Sequence, residues 1–242
     1  VIKINSITHG DALDVVCSVE SDSIDLIVVD PPYFRVKDIW WDKQWQTESG
    51  YRAWITAFVE QWDRVLKCDG SMYVFAHPRL AYLVEGVIRQ RFDVQNHIVW
   101  KKTAPQGKDG WHRKIRKTSL RSWYGMSERI IFAGSAASFG KALRRSRIAA
   151  GLSVKELTGL IGAYGRVNNG GSVSNWEADR NIPSEIYINK MEQRVGKLPR
   201  PRKFYAPASG YGDVWEHPLV PQRPGKHPCE KPVDLLRRII SA

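Results

Sequence analysis

A doubly wound α/β sheet interrupted by an all-α unit is the architecture this sequence predicts. Three observations carry it. Short β-branched runs alternate with helical stretches up to about residue 133, a block of short helices without strands fills about residues 138–198, and strand and helix resume at Val214. In order, Ile2–Ile7 predicts a strand, Ala12–Val19 a weak helix and Ile24–Val29 a second strand. Phe34–Gln46 is a tryptophan-rich loop placed to face a substrate. Tyr51–Lys67 carries Trp54, Phe58, Trp62, Val65 and Leu66 near helical spacing, with Asp69-Gly70 as its stop. Ser71–Ala76 predicts a strand, Leu80–Arg91 a helix, and Val94–Trp100 and Glu128–Ala133 further strands.

The block after residue 138 breaks that rhythm. Phe139–Ala149 reads as a basic helix stopped by Gly151, and Ser153-Val154-Lys155-Glu156 is a capping box opening the next helix. Ser172–Asp179 and Glu185–Val195 complete four helices, flanked by small-residue and proline-rich segments of linker type. The expected organisation is therefore 1–137, an insert 138–198, and 199–242, where Val214-Trp215 is strand and Lys231-Pro232 opens the helix Val233–Ile240.

Asp30-Pro31-Pro32-Tyr33 ends the buried-type run Ile24–Val29, so it falls at the carboxyl end of a strand, where ligands bind in open α/β sheets. Asp30 offers a carboxylate acceptor, Pro31 a rigid carbonyl and Tyr33 a flat face. Acceptors beside an aromatic plate suit a flat amine such as adenine or cytosine. The same four residues also make an ordinary strand-to-loop turn.

Composition narrows the class. The chain has 242 residues, 43% of them hydrophobic, and ten tryptophans, which excludes a disordered protein. No apolar run is long enough to cross a bilayer, and Cys17, Cys68 and Cys229 lack metal-type spacing, so the expected setting is a reducing cytoplasm without a bound metal. The net charge of +12 is concentrated between Lys101 and Arg147, with Trp111, His112, Trp123 and Tyr124 interleaved. Phosphate contacts plus base stacking suit that pattern, with Arg113, Lys114, Arg116, Lys117 and Arg121 the expected contacts and a merely solvated surface the alternative.

These pieces, together with Gly10-Asp11, Leu66–Ser71, Val99–Lys102, Ser127–Phe132, Asp213–Trp215 and His227–Leu236 in that order, resemble the permuted β-class DNA amino-methyltransferases, which modify adenine N6 or cytosine N4. The resemblance covers most of residues 1–134 and 204–242. It implies a Rossmann-like methyltransferase sheet, S-adenosylmethionine as methyl donor, double-stranded DNA as substrate and a flipped-out target base. It places Asp30, Pro31, Pro32 and Tyr33 at the catalytic centre, and Asp11, Ala12, Asp30, Lys231 and Pro232 around the cofactor. An initial Asp resembles the adenine enzymes; cytosine N4 methylation, or a non-catalytic DNA-binding regulator, are the alternatives. A restriction endonuclease partner and a homodimer are compatible with this family. Its glycine-rich cofactor loop has no counterpart before Ala242, so the expected sheet is incomplete at its C-terminal side.

The insert resembles repressor-type helix-turn-helix domains. Leu152–Leu157 fits the second helix, and Ser172–Glu177 with Arg180–Ser184 the recognition helix and its exit. That likeness implies a DNA-facing role for Ser172, Ser174 and Asn175, with Trp176 in the core.

Overall fold

The computed structural model describes residues 5–104, 121–135, 139–163, 171–199, 212–221 and 223–242. Helix α1 spans Ala12–Cys17 and strand β1 Ile24–Val29; α2 spans Glu48–Val65, β2 Leu66–Ala76 and α3 Ala81–Ile88. Strands β3 (Phe92–Thr103) and β4 (Ser127–Ser135) precede helices α4 (Phe139–Ala149), α5 (Val154–Ile161), α6 (Gly171–Glu177) and α7 (Glu185–Val195), after which β5 (Val214–Pro218) and α8 (Val233–Ser241) close the chain. The expected strand Ile2–Ile7 is not present at residues 5–7, and residues 1–4 lie outside the described ones.

The sheet runs β1-β2-β4-β3-β5 and is mixed, with β1–β2 and β3–β5 parallel and both pairings of β4 antiparallel. Helices cover both faces. On one, Tyr51, Ile55, Val59 and Trp62 of α2 and Leu83, Val84 and Val87 of α3 pack on Met72, Val74, Ile131 and Ala133. On the other, Leu235 and Ile239 of α8 pack on Tyr73, Phe75, Ile98, Trp100 and Ile130. The strict alternation along β2 and β4 is the pleat of strands buried on both sides. Strand β3 changes faces midway. Val94 pairs with Ala133 but Asn96 with Phe132, so one extra residue turns Ile98 and Trp100 to the face opposite Val94.

Asp69-Gly70 does not stop α2. The helix ends at Val65, because Leu66 already pairs with Ile24, and the next β1 residue in register, Leu26, meets Ser71. Lys67–Gly70 therefore bulges out of β2. Glycine is required at position 70, since a Cβ there would lie 2.6 Å from the Leu66 side chain and 3.0 Å from the Lys67 carbonyl.

Helices α4–α7 close a core of their own from Phe139, Leu143, Leu157, Ile161, Val173, Trp176, Ile188 and Met191, without a sheet residue. The capping box forms: Glu156 N–H donates to Ser153 Oγ at 3.1 Å and Ser153 N–H to Glu156 Oε2 at 2.7 Å. Arg147 reaches across from α4 to Glu177 of α6, both side chains 10% exposed, and also donates to the Leu152 carbonyl at 2.6 Å. Backbones of α4 and α6 touch at Gly140, where a Cβ would lie 2.5 Å from the Trp176 carbonyl.

Candidate active site

Strand direction gathers one set of side chains at one edge of the sheet. Strand β1 delivers Asp30 and its parallel neighbour β2 delivers His77, each just past its last residue. Strand β4 runs the other way, so its first residues, Ser127 and Glu128, arrive at the same edge, level with Trp100 of β3; Lys102 lies two residues beyond. Lys231 joins from the segment immediately before α8. This is the carboxyl edge of the parallel strands, the usual ligand side of such sheets.

The turn after β1 is held from several directions. Tyr51 Oη donates to the Pro32 carbonyl at 3.0 Å. Asp42, 3% exposed, accepts the backbone N–H groups of Tyr33 at 3.0 Å and Lys37 at 2.9 Å, while its own carbonyl accepts from Arg35 at 2.7 Å. Arg35 adopts φ 53°, a left-handed turn that these bonds enforce. Trp41 stacks on His227 at 5.7 Å, and Lys37 Nζ donates to the Pro228 carbonyl at 3.3 Å, fastening the loop to the segment that leads to Lys231.

Around Tyr33 lies a compact charge cluster. Its hydroxyl stands 3.1 Å from Asp30 Oδ1 and 3.2 Å from Glu128 Oε2. Lys231 Nζ is 2.8 Å from Asp30 Oδ2 and 3.4 Å from Glu128 Oε2, and Lys102 Nζ is 2.7 Å from Glu128 Oε1. Two carboxylates and two ammonium groups balance, which is the condition for burying charge without a large penalty. The Lys231 side chain is 8% exposed and lies over the Phe75 ring at 5.1 Å and the Tyr33 ring at 5.6 Å; Asp30, at 31%, is the member that faces out.

Electrostatics separates the two carboxyl groups. Burial pushes Asp30 up, and Glu128 adds to that, with Lys231 and the Tyr33 hydroxyl pulling the other way without cancelling it. Glu128 is also opposed by burial, yet Lys231, Lys102 and the Tyr33 hydroxyl outweigh this and hold it below the ordinary range. Tyr33 is raised well above a free phenol by burial and by both carboxylates, so its hydroxyl keeps its proton. His77, its ring 6.2 Å from that of Tyr33, is lowered chiefly by burial and is neutral at pH 7.

Of the residues expected from sequence, Asp30, Pro31, Pro32, Tyr33 and Lys231 meet here. Asp11 caps α1, accepting from Leu13 N–H at 2.9 Å, and Ala12 is the first residue of that helix. Pro232 stands at the N-cap of α8 rather than inside its first turn. Arg113, Lys114, Arg116 and Lys117 lie outside the described residues, and Arg121 is exposed. Ser172, Ser174 and Asn175 sit half-buried on α6, beside the buried Val173 and Trp176. Glu128, Lys102 and Asp42 were not expected. The signals available were a carboxylate opening the apolar strand Ile130–Phe132, a lysine ending β3 and an Asp closing the tryptophan loop.

Among the described residues, no helix is long and apolar enough to cross a membrane. Sequence comparison finds 32% identity over 95 residues with the DNA adenine methyltransferase YhdJ of Escherichia coli K12, covering 39% of this chain and 32% of that protein. The type II methyltransferase M.HinfI of Haemophilus influenzae is 29% identical over 137 residues, 50% of this chain and 38% of that one. The chain thus spans about a third of the length of these curated relatives. A DNA modification methylase structure from Thermus thermophilus aligns over 63% of this chain and 62% of its own at 22% identity, with a TM-score of 0.38. The family model described as DNA methylase matches residues 24–242, and on that match the chain belongs to the N6/N4 DNA methylase family.

Proposed function

We propose that the protein carrying this chain is a DNA methyltransferase that acts on an exocyclic base amine, adenine N6 ahead of cytosine N4, with Asp30–Tyr33 as the target-base site. The observation that carries this reading is the outward-facing Asp30 carboxylate, 2.8 Å from the buried Lys231 ammonium, beside the Tyr33 ring at the carboxyl edge of the sheet. An amine delocalised into a purine ring is a weak nucleophile. Asp30 and the Pro31 carbonyl, to which no group donates among the described residues, would accept its two protons and hold its lone pair toward the methyl group. The Tyr33 face would stack on a base turned out of the duplex. No strong base is needed, because the amine proton is shed after the methyl is gained.

S-adenosylmethionine, the donor of this family, supplies that methyl on a sulfonium. Asp11 fits a cofactor role with the oxygen its helix cap leaves over, with Ala12 alongside, and Asp30 and Pro232 border the same edge. Lys231 fits it poorly, its ammonium being committed to two carboxylates.

Helices α4–α7 are read as the unit that selects the DNA site, in the manner of a helix-turn-helix domain inserted in a permuted methyltransferase. Their separate core and the polar residues Ser172, Ser174 and Asn175 on α6 support this, and the basic segment up to Arg121 would grip the phosphates. Sequencing the base modifications in DNA from cells that express the protein tests the reading. N6-methyladenine confined to one short motif is the expected result; unmodified DNA would defeat it.

A further inference from the structure

We infer that Lys231 and Glu128 are positioning residues for Asp30: the lysine keeps the Asp30 carboxylate ionised and aimed, and the glutamate holds the lysine in place. This rests on the target-base reading above and goes beyond it, since it gives buried charges outside the Asp30–Tyr33 turn a defined part in the reaction.

The geometry leaves few alternatives for these groups. Lys231 Nζ bonds Asp30 Oδ2 and the Tyr33 hydroxyl bonds Oδ1, so two partners on the two oxygens set the plane of the carboxylate. Lys231 is itself held on its other side by Glu128 Oε2 at 3.4 Å and from its faces by the Phe75 and Tyr33 rings. Glu128 keeps a second cation, Lys102, on Oε1. A tyrosine hydroxyl has one proton to donate, yet Tyr33 Oη lies within 3.2 Å of both carboxylates. The ammonium shared by both acids, together with Lys102 on Glu128, makes that arrangement tolerable with both acids ionised.

Without Lys231, Asp30 and Glu128 become two carboxylates facing one hydroxyl in a partly desolvated site, and such a pair holds a proton to higher pH. Lys102 stays with Glu128, so the proton settles on Asp30. Protonation turns one Asp30 oxygen from acceptor to donor and removes the charge, so the amine is held more weakly. The other group close to Tyr33 is His77, neutral at pH 7, which cannot replace the missing charge.

The test is a carbon-13 titration of the Asp30 carboxyl in this chain, assigned by its disappearance in Asp30→Asn. Lys231→Met is expected to raise the Asp30 midpoint by about one pH unit or more, the usual effect of losing an opposite charge at such distances. Lys231→Arg restores most of it. Glu128→Gln keeps a side-chain oxygen that can still accept from Lys231 and removes only the negative charge, so it moves the midpoint down. An unmoved midpoint in Lys231→Met, or an unmoved or upward one in Glu128→Gln, overturns the inference; the second variant decides the matter if the first does not fold. In the protein carrying this chain, the acid limb of kcat must shift upward in Lys231→Met with KM for DNA nearly unchanged. An activity loss equal at every pH would mark a merely structural role and equally refute it. If the unmodified protein methylates no DNA, the target-base reading fails while the titration still decides the electrostatics.

Discussion

The sheet edge and the helical unit α4–α7 each bury an ion pair, and the two are built in opposite ways. In helices α4–α7, Arg147 and Glu177 form a two-pronged bond, and the third guanidinium nitrogen, Nη1, donates to the Leu152 carbonyl. All three guanidinium nitrogens and both carboxylate oxygens are engaged within the pair and its neighbour, and little of either side chain is presented outward. At the sheet edge, two ammonium groups serve two carboxylates with a single tyrosine hydroxyl between them, and one carboxylate, Asp30, remains 31% exposed. A closed pair fixes the angle of two helices. An open one stores a directed acceptor at the rim of a cleft, with its pKa pushed off the ordinary value, as functional carboxylates are. The contrast distinguishes a strut from a site without reference to any relative.

That contrast can be broken experimentally. Arg147→Met should be the most costly substitution for stability, about 3–5 kcal/mol, because it leaves the largely buried Glu177 carboxylate without its partner; Arg147→Met combined with Glu177→Leu should recover most of the loss. Chemical denaturation of the two variants checks this, and equal losses would mean that the pair is not self-contained. Tyr33→Ala should weaken productive base binding by about 1–3 kcal/mol, the worth of one stacked base, while Tyr33→Phe stays close to the parent. Steady-state kinetics on DNA separates these. Asp42→Ala should cost about 1–3 kcal/mol by orphaning the Tyr33 and Lys37 N–H groups, and should raise KM for DNA more than it lowers kcat, since it loosens the turn without touching the acceptor. The smallest effect is a pH dependence. Glu128 is depressed on folding, so its contribution to stability is present above its unfolded value and lost as pH falls through the folded one; Glu128→Gln should flatten that acid decline in a melting-temperature series.

The local features of both regions were legible in the sequence because their causes are local. A β-branched run ending in Asp-Pro-Pro places Asp30–Tyr33 at a strand end, and Ser153 with Glu156 forms the capping box as written. The features that escaped depend on residues brought together from afar. Glu128 meets Tyr33 across 95 positions, so nothing near either residue announces the contact. Helix α2 ends short of Asp69-Gly70 because Ile24, in another strand, claims Leu66 before that pair is reached. The change of face in β3 was hidden because Val94 and Ile98 share the same parity, and only the partner strand reveals the extra residue. The mixed direction of the sheet was likewise invisible: alternation of strand and helix suggests parallel neighbours, but β3 and β4 are joined without an intervening helix among the described residues and pair antiparallel.

The central claim is that Asp30 is the acceptor that holds the target amine. Methyl incorporation into unmethylated genomic DNA by the protein carrying this chain, compared with its Asp30→Asn variant at equal DNA affinity and equal thermal stability, tests it most directly. The account predicts that the variant loses on the order of 10²–10³-fold in kcat, the scale of removing one preorganised charge-stabilising group, with DNA binding retained. Methyl transfer at an undiminished rate in Asp30→Asn would contradict it.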